Sequence, residues 1–214
     1  HRDLHSFPTR RSSDLIDFSL SEAKIHRSKN IAYYDDQAMQ KRERNQEIKE
    51  ALRIGIFNGT LTVHYQPIYH LATNTIIGAE ALARLTDPVL GVITPSEFIP
   101  IAEESGLIVD LTHLVIQQVC DLWNRFGGHH PTLTHIALNL SSVNFLQPSL
   151  ETDILSQIAA NKLSPELFIF ELTESMIVES FERVNQTIVS LASHGVTFSD
   201  RKSTRLNSSH RIRT

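Results

Sequence analysis

Apolar residues fall along this chain in two alternating periods. Short apolar runs bounded by turn residues read as strands: Leu61 to Ile68, Ile76 to Arg84, Ile136 to Leu140, Leu167 to Leu172, and one that opens at Val196. Between them, apolar positions three or four apart mark one-faced helices. Val109 to Phe126 carries Leu111, Leu114, Val115, Gln118, Leu122 and Phe126 on one side and stops at Gly127-Gly128. Ser149 to Asn161 carries Leu150, Ile154, Leu155 and Ile158, and Glu179 to Ser193 carries Phe181, Val184, Ile188 and Leu191. Upstream, Met39 to Phe57 shows Ile48, Leu52 and Ile56 amid a charged stretch (KRERNQEIKE) and reads as a solvated connector helix ended by Asn58-Gly59. Thr94-Pro95-Ser96-Glu97 is a capping box with proline at the first helical position, so FIPIAEESG begins as a helix.

Strands that alternate with amphipathic helices pair in parallel through right-handed crossovers. The expected fold class is therefore α/β: an incomplete TIM-like (β/α) barrel, with parallel strands alternating with helices and the pattern broken off after about the fourth to fifth strand.

Three of these strands carry a polar residue where an apolar one would pack. Glu80 stands at the centre of Gly78-Ala79-Glu80-Ala81-Leu82-Ala83-Arg84, and Asn139 and Glu171 stand near the ends of the next two strands. A carboxylate inside a sheet is costly unless it is paired or bound to metal. Two carboxylates and an amide oxygen at strand ends suit Mg2+ or Mn2+ rather than zinc, which favours histidine and cysteine. An ion at a barrel mouth can polarise a phosphoryl group and lower the pKa of a water, so a phosphodiester hydrolase is one reading, with Arg84 placed to hold phosphate. Buried polar side chains that only hydrogen-bond to one another are the other. Glu103 and Glu104 read as surface charges that compensate a helix dipole, Cys120 and Trp123 as core or groove residues, and His129-His130 as solvated.

Composition narrows the field. The 214 residues are 41% hydrophobic and 21% charged with a formal net charge of -4, which is globular and gives no sign of a nucleic-acid polymer as partner. One cysteine allows no internal disulfide, and no apolar run approaches the length of a membrane span. The two ends differ from the middle. Leu4 to Leu15 (LHSFPTRRSSDL) and Asp200 to His210 (DRKSTRLNSSH) resemble translated sequencing adapters, although natural disordered tails fit the composition equally well. Residues 1–15 and 200–214 are accordingly set apart from the fold. Asp200 in particular is not counted as a ligand.

Taken together, YQPI at Tyr65 to Ile68, GAEALAR at Gly78 to Arg84, FIPIAEESG at Phe98 to Gly106, NLS at Asn139 to Ser141 and ELTES at Glu171 to Ser175 resemble the first half of an EAL domain. That family comprises cyclic di-GMP phosphodiesterases. The resemblance implies that Glu80, Asn139 and Glu171 are metal ligands, that Gln66 contacts a guanine base, that Arg84 contacts a substrate phosphate and that Leu82 packs against the nucleotide. It assigns Glu174 no role. It implies metal-dependent hydrolysis of cyclic di-GMP to linear pGpG with Mg2+ or Mn2+. A degenerate domain that binds the nucleotide without cutting it stays open as the alternative. The family follows GVTFS with an aspartate pair and then a lysine, a glutamate and a glutamine. The catalytic base and lysine are expected downstream, so no catalytic residue is assigned within these residues, which alone are expected to be inactive.

Upstream, Leu20 to Tyr34 resembles the last helix and strand of a GGDEF (diguanylate cyclase) domain. The expected organisation is a GGDEF-like end over 16–35, a connector helix over 36–59 and the N-terminal part of the EAL domain over 60–199. A homodimer is a possible partner state, and a cytoplasmic location is implied by where the nucleotide is found, with a parent protein anchored in a membrane through upstream segments left open.

Overall fold

The computed structural model describes residues 36–126, 130–172 and 181–200. The GGDEF-like stretch 16–35 and the tails 1–15 and 201–214 lie outside the described residues, as does Glu174. The chain divides into two compact units, residues 1–46 and 47–214, with the boundary inside the first helix.

In order, the elements are helix α1 (Asp36–Phe57), strands β1 (Thr62–His70), β2 (Thr75–Asp87) and β3 (Gly91–Ile93), helices α2 (Pro95–Ser105) and α3 (Leu107–Phe126), and strand β4 (His135–Leu140). Helices α4 (Ser142–Phe145) and α5 (Leu150–Ala160), a 3-10 turn at Pro165–Leu167, strand β5 (Phe168–Leu172), helix α6 (Phe181–Ser193) and strand β6 (Thr197–Asp200) complete it. The main sheet runs β1-β2-β4-β5-β6, with β3 paired to β2 off that path.

Strands β2, β4, β5 and β6 are parallel, as the alternation with helices requires. The all-parallel expectation needs one correction: β1 is antiparallel to β2. Only the four residues Leu71 to Asn74 separate them, too few for a crossover, and Asn74 takes a φ of 50° in the turn. The three-residue strand β3, also antiparallel to β2, is too short to have shown a period in the sequence.

Because strand side chains alternate, the sheet has one apolar and one polar face. Ala81, Ile136, Leu138, Leu140, Phe168, Phe170 and Phe198 form the apolar face, packed with Ile116 and Cys120 of α3, Ile154 and Ile158 of α5 and Leu191 of α6. A second core joins Ile48 and Leu52 of α1 to Leu85, Ile93, Phe98, Ile101 and Leu111. One side of the second half of α1 is thus buried, and from about Ile48 onward the connector helix expected over 36–59 packs on the domain through that side. Its apolar stripe has a partner, the β2–β3 hairpin and α2.

Candidate functional site

The polar face of the sheet gathers the residues singled out in the sequence. Glu80 on β2 is paired with Gln66 of β1 and Ala137 of β4. Two residues further along β4, Asn139 is paired with Glu171 of β5, which is paired in turn with Ser199 of β6. Steps of two keep a side chain on one face, so Gln66, Glu80, Asn139, Glu171 and Ser199 all project to the same side. Leu82 and Arg84 continue that row along β2.

Asn139 and Glu80 touch. The amide nitrogen Nδ2 of Asn139 donates to Oε1 of Glu80 at 2.8 Å. This bond turns the amide oxygen Oδ1 away, and Oδ1 is buried without a hydrogen-bond partner among the described residues. Such an acceptor costs roughly 1–3 kcal/mol when nothing satisfies it. Glu171 lies beside it with 8% of its surface exposed. The Ser199 hydroxyl, next along the same row, is also buried and unpartnered among the described residues. Two carboxylates, an orphaned amide oxygen and a hydroxyl make an oxygen-rich, donor-poor surface. That chemistry fits a hard divalent cation. Among the described residues no three His, Cys, Asp or Glu side chains cluster as a metal site.

Arg84 is half-buried, and its Nη1 donates to the carbonyl of Ala83 at 2.9 Å, which leaves further guanidinium donors. It lines a cavity of about 180 Å³ together with Leu82, Phe98, Glu103, Asn139 and Ser141. The cavity lies at the C-terminal ends of β2 and β4, against α2 and α3, where ligands of parallel α/β sheets bind. Gln66 is exposed on β1 opposite Glu80.

One cavity residue was misread from sequence. Glu103 is not a dipole-compensating charge at a helix start: it lies near the end of α2, where the dipole disfavours an acid. It is half-buried, and its Oε1 accepts the Ser141 hydroxyl at 2.6 Å. The residues that meet here are 38 positions apart in the chain, so no local signal could have revealed the contact.

On the opposite, apolar face of the sheet two groups are held neutral. Burial, with a smaller push from Asp121, moves the Tyr65 hydroxyl up to about 12 and the Cys120 thiol up to about 11. Tyr65 also donates to the Gln118 carbonyl at 3.1 Å. Neither is a nucleophile at neutral pH.

Comparison with known families matches residues 46–199 to the EAL domain. An uncharacterized signaling protein of Caulobacter vibrioides is 35% identical over 162 residues, 73% of this chain and 20% of that protein. The bifunctional diguanylate cyclase/cyclic di-GMP phosphodiesterase MucR of Pseudomonas aeruginosa is 29% identical over 183 residues, 84% of this chain and 26% of that protein. The structure of the PaMucR phosphodiesterase in complex with c-di-GMP superposes with a TM-score of 0.66 at 31% identity, over 72% of this chain and 62% of that one. The chain thus spans about a fifth to a quarter of the length of these two curated relatives.

Proposed function

The chain belongs to the EAL-domain family, and on that premise we propose that it serves the metal-dependent hydrolysis of cyclic di-GMP to linear pGpG. The observation that carries this reading is Oδ1 of Asn139, buried without a hydrogen-bond partner among the described residues, on a strand flanked by those of Glu80 and Glu171 with all three side chains on one face of the sheet. Glu80, Asn139 and Glu171 would hold Mg2+ or Mn2+. An ion held there would supply Lewis-acid chemistry, polarising a phosphoryl oxygen and making a water more acidic. Arg84 receives a phosphate through its remaining donors, in the paired geometry that a guanidinium favours. Leu82 packs against the nucleotide and Gln66 meets a guanine base at the rim.

A receptor that binds without cutting is less well supported, because a pure receptor has no use for carboxylate and amide oxygens gathered beside the phosphate site. An upstream GGDEF-like domain in the same protein is proposed from the resemblance of residues 16–35 and from the bifunctional name of MucR.

The test is equilibrium binding of cyclic di-GMP to the chain in Mn2+, followed by chromatography of the nucleotide. Binding is expected, weakened at least tenfold by Arg84→Ala, a loss of about 1.4 kcal/mol. Linear pGpG formed by a longer protein that carries the base and lysine expected downstream, and lost in Glu171→Gln, marks the enzyme, and intact nucleotide retained by that longer protein marks a receptor. A folded chain that does not bind cyclic di-GMP overturns the proposal.

A further inference from the structure

Behind Asn139 lies a chain of hydrogen bonds that the proposed chemistry does not use. Strand β4 ends at Leu140, and Ser141 continues extended with φ -81° and ψ 151° before the four-residue helix α4. Its hydroxyl therefore emerges two residues beyond Asn139 on the same side and donates to Glu103 of α2 at 2.6 Å. The same hydroxyl accepts the Val143 amide at 3.2 Å, and the Ser141 amide donates to Oδ1 of Asn144 at 3.1 Å. Asn144 is completely buried, and its Nδ2 donates to the Thr112 hydroxyl of α3 at 3.1 Å. Thr112 in turn donates to the Ile108 carbonyl at 2.8 Å.

A single helical turn such as α4 has too few internal bonds to fix its own direction. Here both of its ends are tied outward, to α2 through Glu103 and to α3 through Thr112. Ser141, Asn144 and Thr112 are all buried, and a satisfied polar network of this kind specifies a geometry more narrowly than an apolar filling would.

We propose that Glu103, Ser141, Asn144 and Thr112 form a positioning relay that holds the exit of β4, and with it the Asn139 amide, in the orientation a metal ion requires. Outer partners of this kind orient the groups that touch the ion. The inference rests on the reading of Asn139 as a ligand, and its test keeps the two apart.

Mn2+ is titrated into the whole chain and followed by electron paramagnetic resonance, so that no turnover is needed. Ser141→Ala and Glu103→Leu are expected to weaken Mn2+ binding about tenfold. Glu103→Gln, which keeps an acceptor for the Ser141 hydroxyl, is expected to stay within about threefold of the parent, a rescue that loss of packing alone would not give. The side-chain amide resonances of Asn139 should shift in the two weakened variants and keep their parent positions in Glu103→Gln. If Ser141→Ala loses its native circular dichroism, the Glu103 pair decides. Parent-like binding in folded Ser141→Ala and Glu103→Leu, with binding weakened in Asn139→Ala, overturns the relay and leaves the ligand assignment standing. Parent-like binding in Asn139→Ala overturns the ligand assignment itself.

Discussion

The residues of the polar face are held to tight tolerances even away from the metal donors. Gly78 is paired with His135 across β2 and β4, two residues before Glu80. A Cβ at Gly78 would stand 2.7 Å from Cδ2 and 2.8 Å from Cε1 of the His135 ring, closer than real side chains approach. Gly78→Ala should therefore push β2 and β4 apart at the foot of the site and cost about 1–3 kcal/mol, as overpacking does. Urea unfolding of the single variant and of Gly78→Ala with His135→Ala measures this. The double variant should recover much of the loss, and strict additivity of the two changes would show that the ring is not the obstacle.

At the scale of elements, the second half of α1 has two different sides. Its exposed side carries Arg53 bonded to Glu50 at 2.6 Å, an ion pair half open to water on both sides, and removing it should leave stability unchanged. Its inner side buries Leu52 completely. Leu52→Ala should cost roughly 2–5 kcal/mol through lost burial and the cavity left among Leu61, Leu85 and Ile93. Hydrogen exchange at the amides of Ala51 to Phe57 reports the difference. Protection should fall sharply in Leu52→Ala and stay at the parent level in Arg53→Ala. Equal protection in both variants would mean that the helix is a free connector along its whole length.

For the molecule as a whole, the buried thiol and phenol set an alkaline limit. Both are neutral when protonated, and burial favours the neutral form, so the folded chain keeps these protons to higher pH than the unfolded one. The resulting stability is complete below the ordinary values of 9.0 for Cys120 and 10.0 for Tyr65. It is lost as pH rises through about 11 and about 12. Circular dichroism against pH should show loss of structure beginning above pH 9.0, and Cys120→Val should move that onset towards 10.0. An onset unmoved by the substitution would exclude the thiol as a cause. Among the described residues no helix is long and apolar enough to cross a membrane.

The sequence by itself determined the longer strands and helices, because a period of two or of 3.6 is a property of neighbouring residues and survives without knowledge of the fold. It also marked Glu80, Asn139, Glu171 and Arg84, since a polar side chain within an apolar run announces that something must compensate it. Their presence on one face followed from counting in twos once the strands were paired. What the tertiary structure alone decided is the pairing itself: the antiparallel β1, the two-residue stagger that sets Glu80 against Ala137 and Asn139 against Glu171, and the bond that leaves Oδ1 of Asn139 without a partner among the described residues. The same holds for the burial of Leu52 and for Glu103, whose partner Ser141 lies in another element. These features depend on which distant residues come to share a surface, and that is settled by the packing energy of the whole domain, which no local pattern encodes.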